Sequence, residues 1–433
     1  MLKKIIKRLL LLLSGFLVLL LLITFTPGIW HYWVTYPSYD REVSDLQKFR
    51  REVLSQTKLN TYRGVLHVHS YLSHDSRGTL DDIIPAAKKD GIDFIFLTDH
   101  PHGDIDTLPK GYRGMHDGVL IEPGTEKQGF DCWPLQPAII DWKADKDSVA
   151  RNIVSNGGII FYAHTEEPHN WANPFYQGME IYNFHTDTRD QSPVPILFNM
   201  IINGNRYRHW ALREFFNEQT TILSRWDSLN KIRKIVGFSA VDSHENQNIR
   251  ARYLQDGRIL WVGNNNHVLD TMEVKFWNKW LFEKPDKSGW VFKFLIDTYE
   301  TGFNYITNYV VADSLTIHSL ADNLKKGHLF TAFKTLADAK GFQYFGLNRN
   351  DSVCAILGDS VRIDQVKMLR AESPLPGQFR LIHDGKTIAV SSENCYQISS
   401  NKVLEKGAYR IEIHLKLQGK LIPWLYSNPI YIY

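Results

Sequence analysis

His67-Val68-His69-Ser70-Tyr71-Leu72-Ser73-His74-Asp75-Ser76 ends an apolar, strand-like run that begins at Gly64 and leads toward a helix-like segment. Side chains alternate along a strand with a period of two, so His67 and His69 are expected on one side, where their imidazoles can share a metal ion. Neutral imidazole suits zinc, manganese or iron, and Asp75 offers an oxygen ligand at the same mouth.

The surrounding chain repeats this grammar of a short apolar strand followed by a helix. Thr79 to Asp90 reads as a helix, with Thr79 as its cap, acids in its first turn and Gly91 as its stop. Ile92 to Thr98 is a buried-type strand that runs into Asp99-His100. Later runs end in Gly124-Thr125-Glu126, in Ala163-His164, in Asn183 with His185 close by, and in Asp242-Ser243-His244. Strand–helix–strand order implies parallel pairing, and in parallel α/β barrels the functional residues gather at the C-terminal strand ends. A single histidine there is usually structural, but a metal-capable residue at one strand end after another points to a metal centre.

Composition sets the frame. At 433 residues, with 43% hydrophobic and 22% charged residues, the chain is expected to be globular, with one large domain and a smaller one. The formal net charge of +3 gives no argument for nucleic acid, and Lys3, Lys4, Lys7 and Arg8 supply part of it at the extreme N-terminus. Residues 9 to 26 carry no charge and are rich in leucine, roughly 27 Å of helix, just enough to span a bilayer. Basic residues on one flank and Trp30, Tyr32 and Trp33 on the other predict a retained single-pass anchor in the cell membrane, N-terminus cytoplasmic and body extracytoplasmic. The competing reading is a cleaved signal peptide. Cys132, Cys354 and Cys395 allow at most one disulfide, with Cys354 and Cys395 possible on position alone.

His-x-His, Thr-Asp-His, Gly-x-Glu, Ala-His and a late Asp-x-His together resemble the PHP (polymerase and histidinol phosphatase) metallohydrolase superfamily. Ser73-His74-Asp75-Ser76-Arg77-Gly78, the long middle insertion and the terminal Ser427-Asn428-Pro429-Ile430-Tyr431 are similar to its CehA/McbA-like branch. The resemblance is densest from Gly64 to His244. It implies an α/β fold, a distorted (β/α)7 barrel, holding two or three divalent ions (Zn, Mn or Fe). His67, His69, Glu126 and Asp242 would hold the first ion, Glu126 bridging to a second held by His164 and by His185 or Asn183. Asp75, His100 and His244 would hold a third, with His74 competing for the place of Asp75. His185 is preferred to Asn183 because imidazole binds transition metals better than an amide oxygen, and Asp75 to His74 because its oxygen is harder.

Such a cluster implies hydrolysis with hydroxide held between the ions as nucleophile, and Asp242, Glu126 and His244 as the catalytic residues. Arg77, Arg189 and Arg250, each following a ligand motif, are candidates for binding a phosphate ester. The reading is therefore a metal-dependent hydrolase acting on a small molecule, a phosphomonoester or phosphodiester. Hydrolysis of a carbamate, ester or amide is the alternative, and a non-catalytic surface binding protein the second.

The division expected is an anchor over 1–34, a linker and helix over 35–63, the barrel over 64–344 with a helical insertion at about 190–234, and an antiparallel β-sandwich over 345–433. Phe198 to Ile202, Trp210 to Phe216 and Ile222 to Ile235 carry apolar residues at helical spacing, which marks the insertion. Ser360 to Val366 and Tyr409 to Leu415 alternate with a period of two, which marks the sandwich.

Overall fold

A computed structural model describes residues 2–101, 108–137, 139–189, 193–246, 248–263, 267–286, 289–295, 297–400 and 403–433. Its central strand is β1 (Asn60–Val68), which changes partners halfway along. One edge pairs in parallel with β2 (Phe94–Phe96). The other edge pairs first antiparallel with β14 (Thr307–Ala312), then in parallel with β9 (Val236–Ser243), with an irregularity between Leu66 and Val68.

Parallel pairing continues outward on both sides. β4 (Val119–Glu122) lies beside β2, and β8 (Gly178–Asn183) and β7 (Ile159–Tyr162) follow β9, giving the parallel order β4-β2-β1-β9-β8-β7. Two short strands run against this direction, β3 (Gly114–His116) on β4 and β6 (Phe130–Trp133) on β7, while β5 (Thr125–Lys127), the other arm of the hairpin with β6, runs with it. The bend from β4 into β5 needs Gly124, where an added Cβ would lie 2.3 Å from the Trp133 ring and 2.5 Å from the Leu97 carbonyl oxygen.

The connecting helices end where local chemistry dictates. α3 (Leu80–Asp90) begins with a capping box between Thr79 and Asp82 and stops at Gly91 in the left-handed region, φ 63°. α10 (Ile317–Lys326) is capped by Thr316 and stopped by Gly327 in the same way. Beneath the strand ends, Phe96, Trp133, Phe161 and Phe238 interlock with ring centroids 5.2–5.8 Å apart, an apolar floor that keeps water out from below.

Two insertions leave from the C-terminal strand ends. Between β8 and β9 come four helices, α5 (Phe184–Arg189), α6 (Pro193–Asn203), α7 (Arg208–Arg213) and α8 (Thr220–Asn230), close to the periodicity in the sequence. Between β9 and α9 (Tyr299–Tyr305) lies a separate four-stranded antiparallel sheet of Asn248–Tyr253, Ile259–Val262, Val268–Met272 and Trp290–Leu295. That sheet leaves little pattern in the sequence, because among the described residues its own buried core is Ala251, Ile259 and Val291.

From Gln343 onward the strands are short or alternating and, apart from Ser360–Val361 beside Ile430–Ile432, pair antiparallel. They are not detached from the first part. Leu329–Ala332 pairs with β14 on one edge and with Lys420–Ser427 on the other. Asn428, in the terminal Ser-Asn-Pro, accepts from Gly237 N and donates to the carbonyls of Gly237 and Leu329, tying the chain end to β9. The three cysteines are free thiols.

At the other end, α1 (Leu2–Trp30), a π-helical turn (His31–Thr35) and α2 (Tyr36–Gln47) form one continuous helical run. It is long and apolar enough to cross a membrane, and Leu9 to Ile23 present exposed apolar side chains.

The insertion and the C-terminal strands meet at a buried charge network. The Arg410 guanidinium donates to both Asp227 oxygens at 2.6 and 2.8 Å and to Glu412 at 2.6 Å, and lies over the Trp226 ring. Removing the cation alone strands two carboxylates in the interior, so Arg410→Met is expected to cost about 3–5 kcal/mol in urea unfolding. Burial opposes the Glu412 charge, but Arg410 and His414 hold its pKa down at about 2. Its folded value lies below its unfolded one, so its stabilisation is full above about pH 4.5 and fades as pH falls toward 2. Unfolding midpoints of Glu412→Gln and the native chain, compared across that window, check the sign.

Candidate metal centre

His67 does not sit on a regular strand. Its φ is +60°, at the irregularity where β1 passes from Leu66 to Val68. The simple period-two argument therefore gives way to a bulge, which turns the His67 ring into the site beside His69. His164 and Asp242, also at strand ends, have φ of +48° and +49°. Left-handed backbone at residues with a Cβ is sparsely populated and costs about 1–3 kcal/mol each, a strain that clusters at functional sites.

The first cluster is His67, His69, Glu126 and Asp242, all buried. His67 Nε2 lies 3.0 Å from Glu126 Oε2 and 3.4 Å from Asp242 Oδ1, and His69 Nε2 lies 3.4 Å from each of the same two oxygens. The other Glu126 oxygen faces His164 Nε2 at 3.2 Å. One carboxylate thus presents its two oxygens to two sets of imidazoles, the disposition of a bridging ligand.

A second cluster joins Asp75, His100 and His244, and brings in His69 as well. His100 Nε2 and His244 Nε2 lie 3.5 and 3.4 Å from Asp75 Oδ2. Each ring is turned by a backbone carbonyl at Nδ1: Glu126 O for His100 at 3.1 Å, Asp242 O for His244 at 3.0 Å. A proton on Nδ1 leaves Nε2 as the lone pair aimed at the cluster. His74 is exposed, with its Nε2 4.0 Å from Asp75, so Asp75 is the residue turned inward.

His185 is brought together with Asp242 and His244, its ring centroid 5.5 Å from that of His244. His164 groups instead with Glu166 and Glu180. The Asn183 amide donates to Glu180 Oε2 at 3.1 Å and to Asp242 Oδ2 at 3.5 Å, so it presents hydrogens to the carboxylates.

Three acids in these groups were not singled out from the sequence. Glu180 Oε1 lies 2.5 Å from His67 Nδ1, while Oε2 accepts from His164 N at 2.7 Å and from Asn183. Asp131 Oδ2 lies 3.4 Å from the same His67 nitrogen, and Glu166 Oε1 lies 3.4 Å from His164 Nδ1. A signal was present for two of them: Phe130-Asp131-Cys132-Trp133 and Met179-Glu180-Ile181 each set an acid inside a buried apolar strand.

The electrostatics follow from this crowding. Burial works against the His67 imidazolium, yet Asp131, Asp242, Glu126 and Glu180 hold its pKa well above the ordinary value. Burial likewise opposes the Glu126 and Asp242 charges, and the facing imidazoles nonetheless pull both well below the carboxylate range. Burial also disfavours a charged His164, but Glu126 and Glu166 push it up to about 12. Such a field favours a cation placed between the rings.

The donor set fits a divalent ion. His69 Nε2, Asp242 Oδ1 and both Asp131 oxygens are buried without hydrogen-bond partners, and buried polar atoms of this kind ask for a ligand. Mixed imidazole and carboxylate donors suit zinc, manganese or iron.

Two arginines lie next to residues of the second cluster. Arg77 N donates to His244 O at 3.3 Å, and Arg250 Nη2 donates to Glu245 O at 3.4 Å while its guanidinium lies 5.6 Å from the Trp290 ring centroid. The Nε atoms of both are buried without hydrogen-bond partners. Burial, and then the charge of Arg250, lower the Arg77 pKa. The side chain of Arg189 lies outside the described residues.

No protein-family model matches the chain. No curated protein matches it either. Among solved structures it is similar to a two-domain protein of Bacteroides vulgatus ATCC 8482, described as containing a predicted PHP-like metal-dependent phosphoesterase. The identity is 13%, the match covers 87% of this chain and 98% of that one, and the TM-score is 0.32, too loose a likeness to carry an argument.

Glu180 holds the His67 ring by its far nitrogen, the arrangement that orients a metal-binding imidazole. Glu180→Gln is therefore expected to weaken metal retention about 10- to 100-fold, read as metal content against a chelator series. Unchanged retention would remove Glu180 from the centre.

Proposed function

We propose that the chain is a membrane-anchored, metal-dependent hydrolase of the PHP type, in its CehA/McbA-like branch, that cleaves a phosphate ester. The observation that carries the phosphoester reading is the Arg77–Arg250 pair. Two arginines next to residues of the metal-capable cluster, each with a buried and unpartnered Nε, and with burial and then the Arg250 charge lowering the Arg77 pKa, suit an anion between them. A neutral carbamate or amide could accept from these groups but would leave their two positive charges without a counter-charge.

In this reading His67, His69, Glu126 and Asp242 hold one ion. Asp75, His100 and His244 hold another, His164 faces the second oxygen of Glu126, and His185 stands with Asp242 and His244. Bound divalent ions supply Lewis-acid polarisation of the phosphoryl group and a more acidic water. Glu126, Asp242 and His244 are the residues whose contacts join one cluster to the next, so they set the spacing on which turnover depends. Arg77 and Arg250 bind and orient the ester, and the aromatic floor excludes water from the protein side. The parallel order β4-β2-β1-β9-β8-β7 supports a distorted (β/α)7 barrel over about 64–344, with the β-sandwich over 345–433.

The test is hydrolysis by the purified full chain, loaded with manganese, zinc or iron, of p-nitrophenyl phosphate, bis(p-nitrophenyl) phosphate and an aryl carbamate. Phosphoester turnover is expected to disappear in Asp242→Ala. In Arg77→Ala and Arg250→Ala, KM is expected to rise about 10- to 100-fold, the worth of a hydrogen bond to a charged group. Carbamate turnover undiminished by the arginine substitutions, without phosphoester turnover, would replace this reading with the alternative.

A further inference from the structure

Both insertions leave from strand ends that carry the metal centre, and both lead toward surfaces suited to a membrane. The first leaves β8 through α5, which bears His185, and returns as α6, Pro-Val-Pro-Ile-Leu-Phe-Asn-Met-Ile-Ile-Asn. α6 packs on the end of the apolar helix α1. The Phe198 ring stacks edge-on against Phe25 at 4.8 Å, Ile202 closes on Gly28, and Asn203 donates to Gly28 O at 3.0 Å. Contacts that advance together along both helices mean that α6 and α1 run in the same direction. The start of α6 therefore lies toward the apolar stretch of α1, and its end toward the body.

The second insertion leaves β9 just beyond His244. Between its third and fourth strands the loop 273–281 turns three large aromatic side chains outward: Phe276 is 88% exposed, Trp277 56% and Trp280 77%. The loop is built to show them. Asn278, buried, accepts from Lys275 N at 2.7 Å and donates to Glu273 O at 2.9 Å, so the residues on either side of it face solvent. Lys275, Lys279 and Lys284 are exposed among them, with Glu273 3.4 Å from Lys275 and Glu283 exposed beside Lys284. Tryptophan and phenylalanine interleaved with lysine suit the headgroup layer of an anionic bilayer, where rings bury at the boundary and ammonium groups meet phosphates.

We infer that the mouth of the metal centre faces the membrane that α1 enters, with α6 and the 276–280 loop seated in the headgroup layer, and that the ester cleaved there is the phosphoester headgroup of a membrane lipid. The substrate half rests on the phosphoester reading above; the orientation half does not. Arg77 comes just past the His67–Asp75 stretch, and Arg250 lies on the first strand of the second insertion, the one that carries the aromatic loop. A headgroup phosphate held in the plane of the bilayer would reach them without leaving it.

The experiment uses the full chain in nanodiscs of phosphatidylcholine with phosphatidylglycerol or phosphatidic acid. The variant replaces Phe276, Trp277 and Trp280 by serine. Tryptophan fluorescence is read with and without lipids brominated near the headgroup, lipid hydrolysis by phosphate or headgroup release, and soluble turnover with p-nitrophenyl phosphate and its diester. Expected are quenching that diminishes in the variant, and lipid hydrolysis that falls at least about tenfold, the equivalent of 1.4 kcal/mol, while soluble turnover and metal content stay as in the native chain. Equal quenching in the native chain and the variant would overturn the orientation. Turnover of the soluble ester with no release from any lipid would overturn the substrate assignment. Failure on every phosphoester would instead overturn the phosphoester reading, leaving the quenching to decide the orientation alone.

Discussion

The structure depends on buried carboxylates packed against buried imidazoles. Glu126, Asp131, Glu180 and Asp242 all surround His67, and none has more than a sliver of solvent. Like charges so close in a medium of low dielectric repel strongly: burial, with Glu180 and Glu126 beside it, pushes the Asp131 carboxyl well above its ordinary value, and a cation among the four relieves the strain. The centre is thus an electrostatic commitment of the fold. The interlocked aromatics below it, with Trp133 donating to Leu97 O at 2.8 Å, supply the rigidity against which that repulsion works.

The backbone carries part of the cost. His67, His164 and Asp242 adopt left-handed φ where their strands end, each at the point where its side chain must turn in. A regular strand would send successive side chains to opposite faces, and no set of regular strands would converge so many donors on so small a volume. Tyr299 adds support from outside: its hydroxyl donates to His69 O at 2.6 Å and meets Ser76 Oγ at 3.2 Å, holding the turn after His69 from a helix far along the chain. Asp99 does the same from the second strand, accepting from Ser70 N and Ser70 Oγ.

The strand-and-helix grammar was legible because each piece is local. A capped helix from Thr79, a stop at Gly91 and alternation in the last strands need only neighbours in sequence. The histidines and acids at strand ends were legible for the same reason, since position within a repeated unit can be counted. Asp131 and Glu180 were not read as part of the centre, although their setting in apolar strands was visible, because an acid in a strand acquires meaning only from what faces it. The sheet inserted after His244 escaped notice because it buries too little to leave a strong pattern.

By itself the sequence determined the strand-and-helix succession from Gly64 to β9, the apolar N-terminal helix and the histidines and acids at the strand ends, all of which follow from residue type and short-range spacing. Tertiary structure decided which of those side chains meet. It set Asp75 inward and His74 outward, drew His69 into two clusters, placed His185 with His244 and turned Glu180 onto His67. Those choices rest on bulges, strand register and contacts between residues more than a hundred positions apart, which spacing along the chain does not encode.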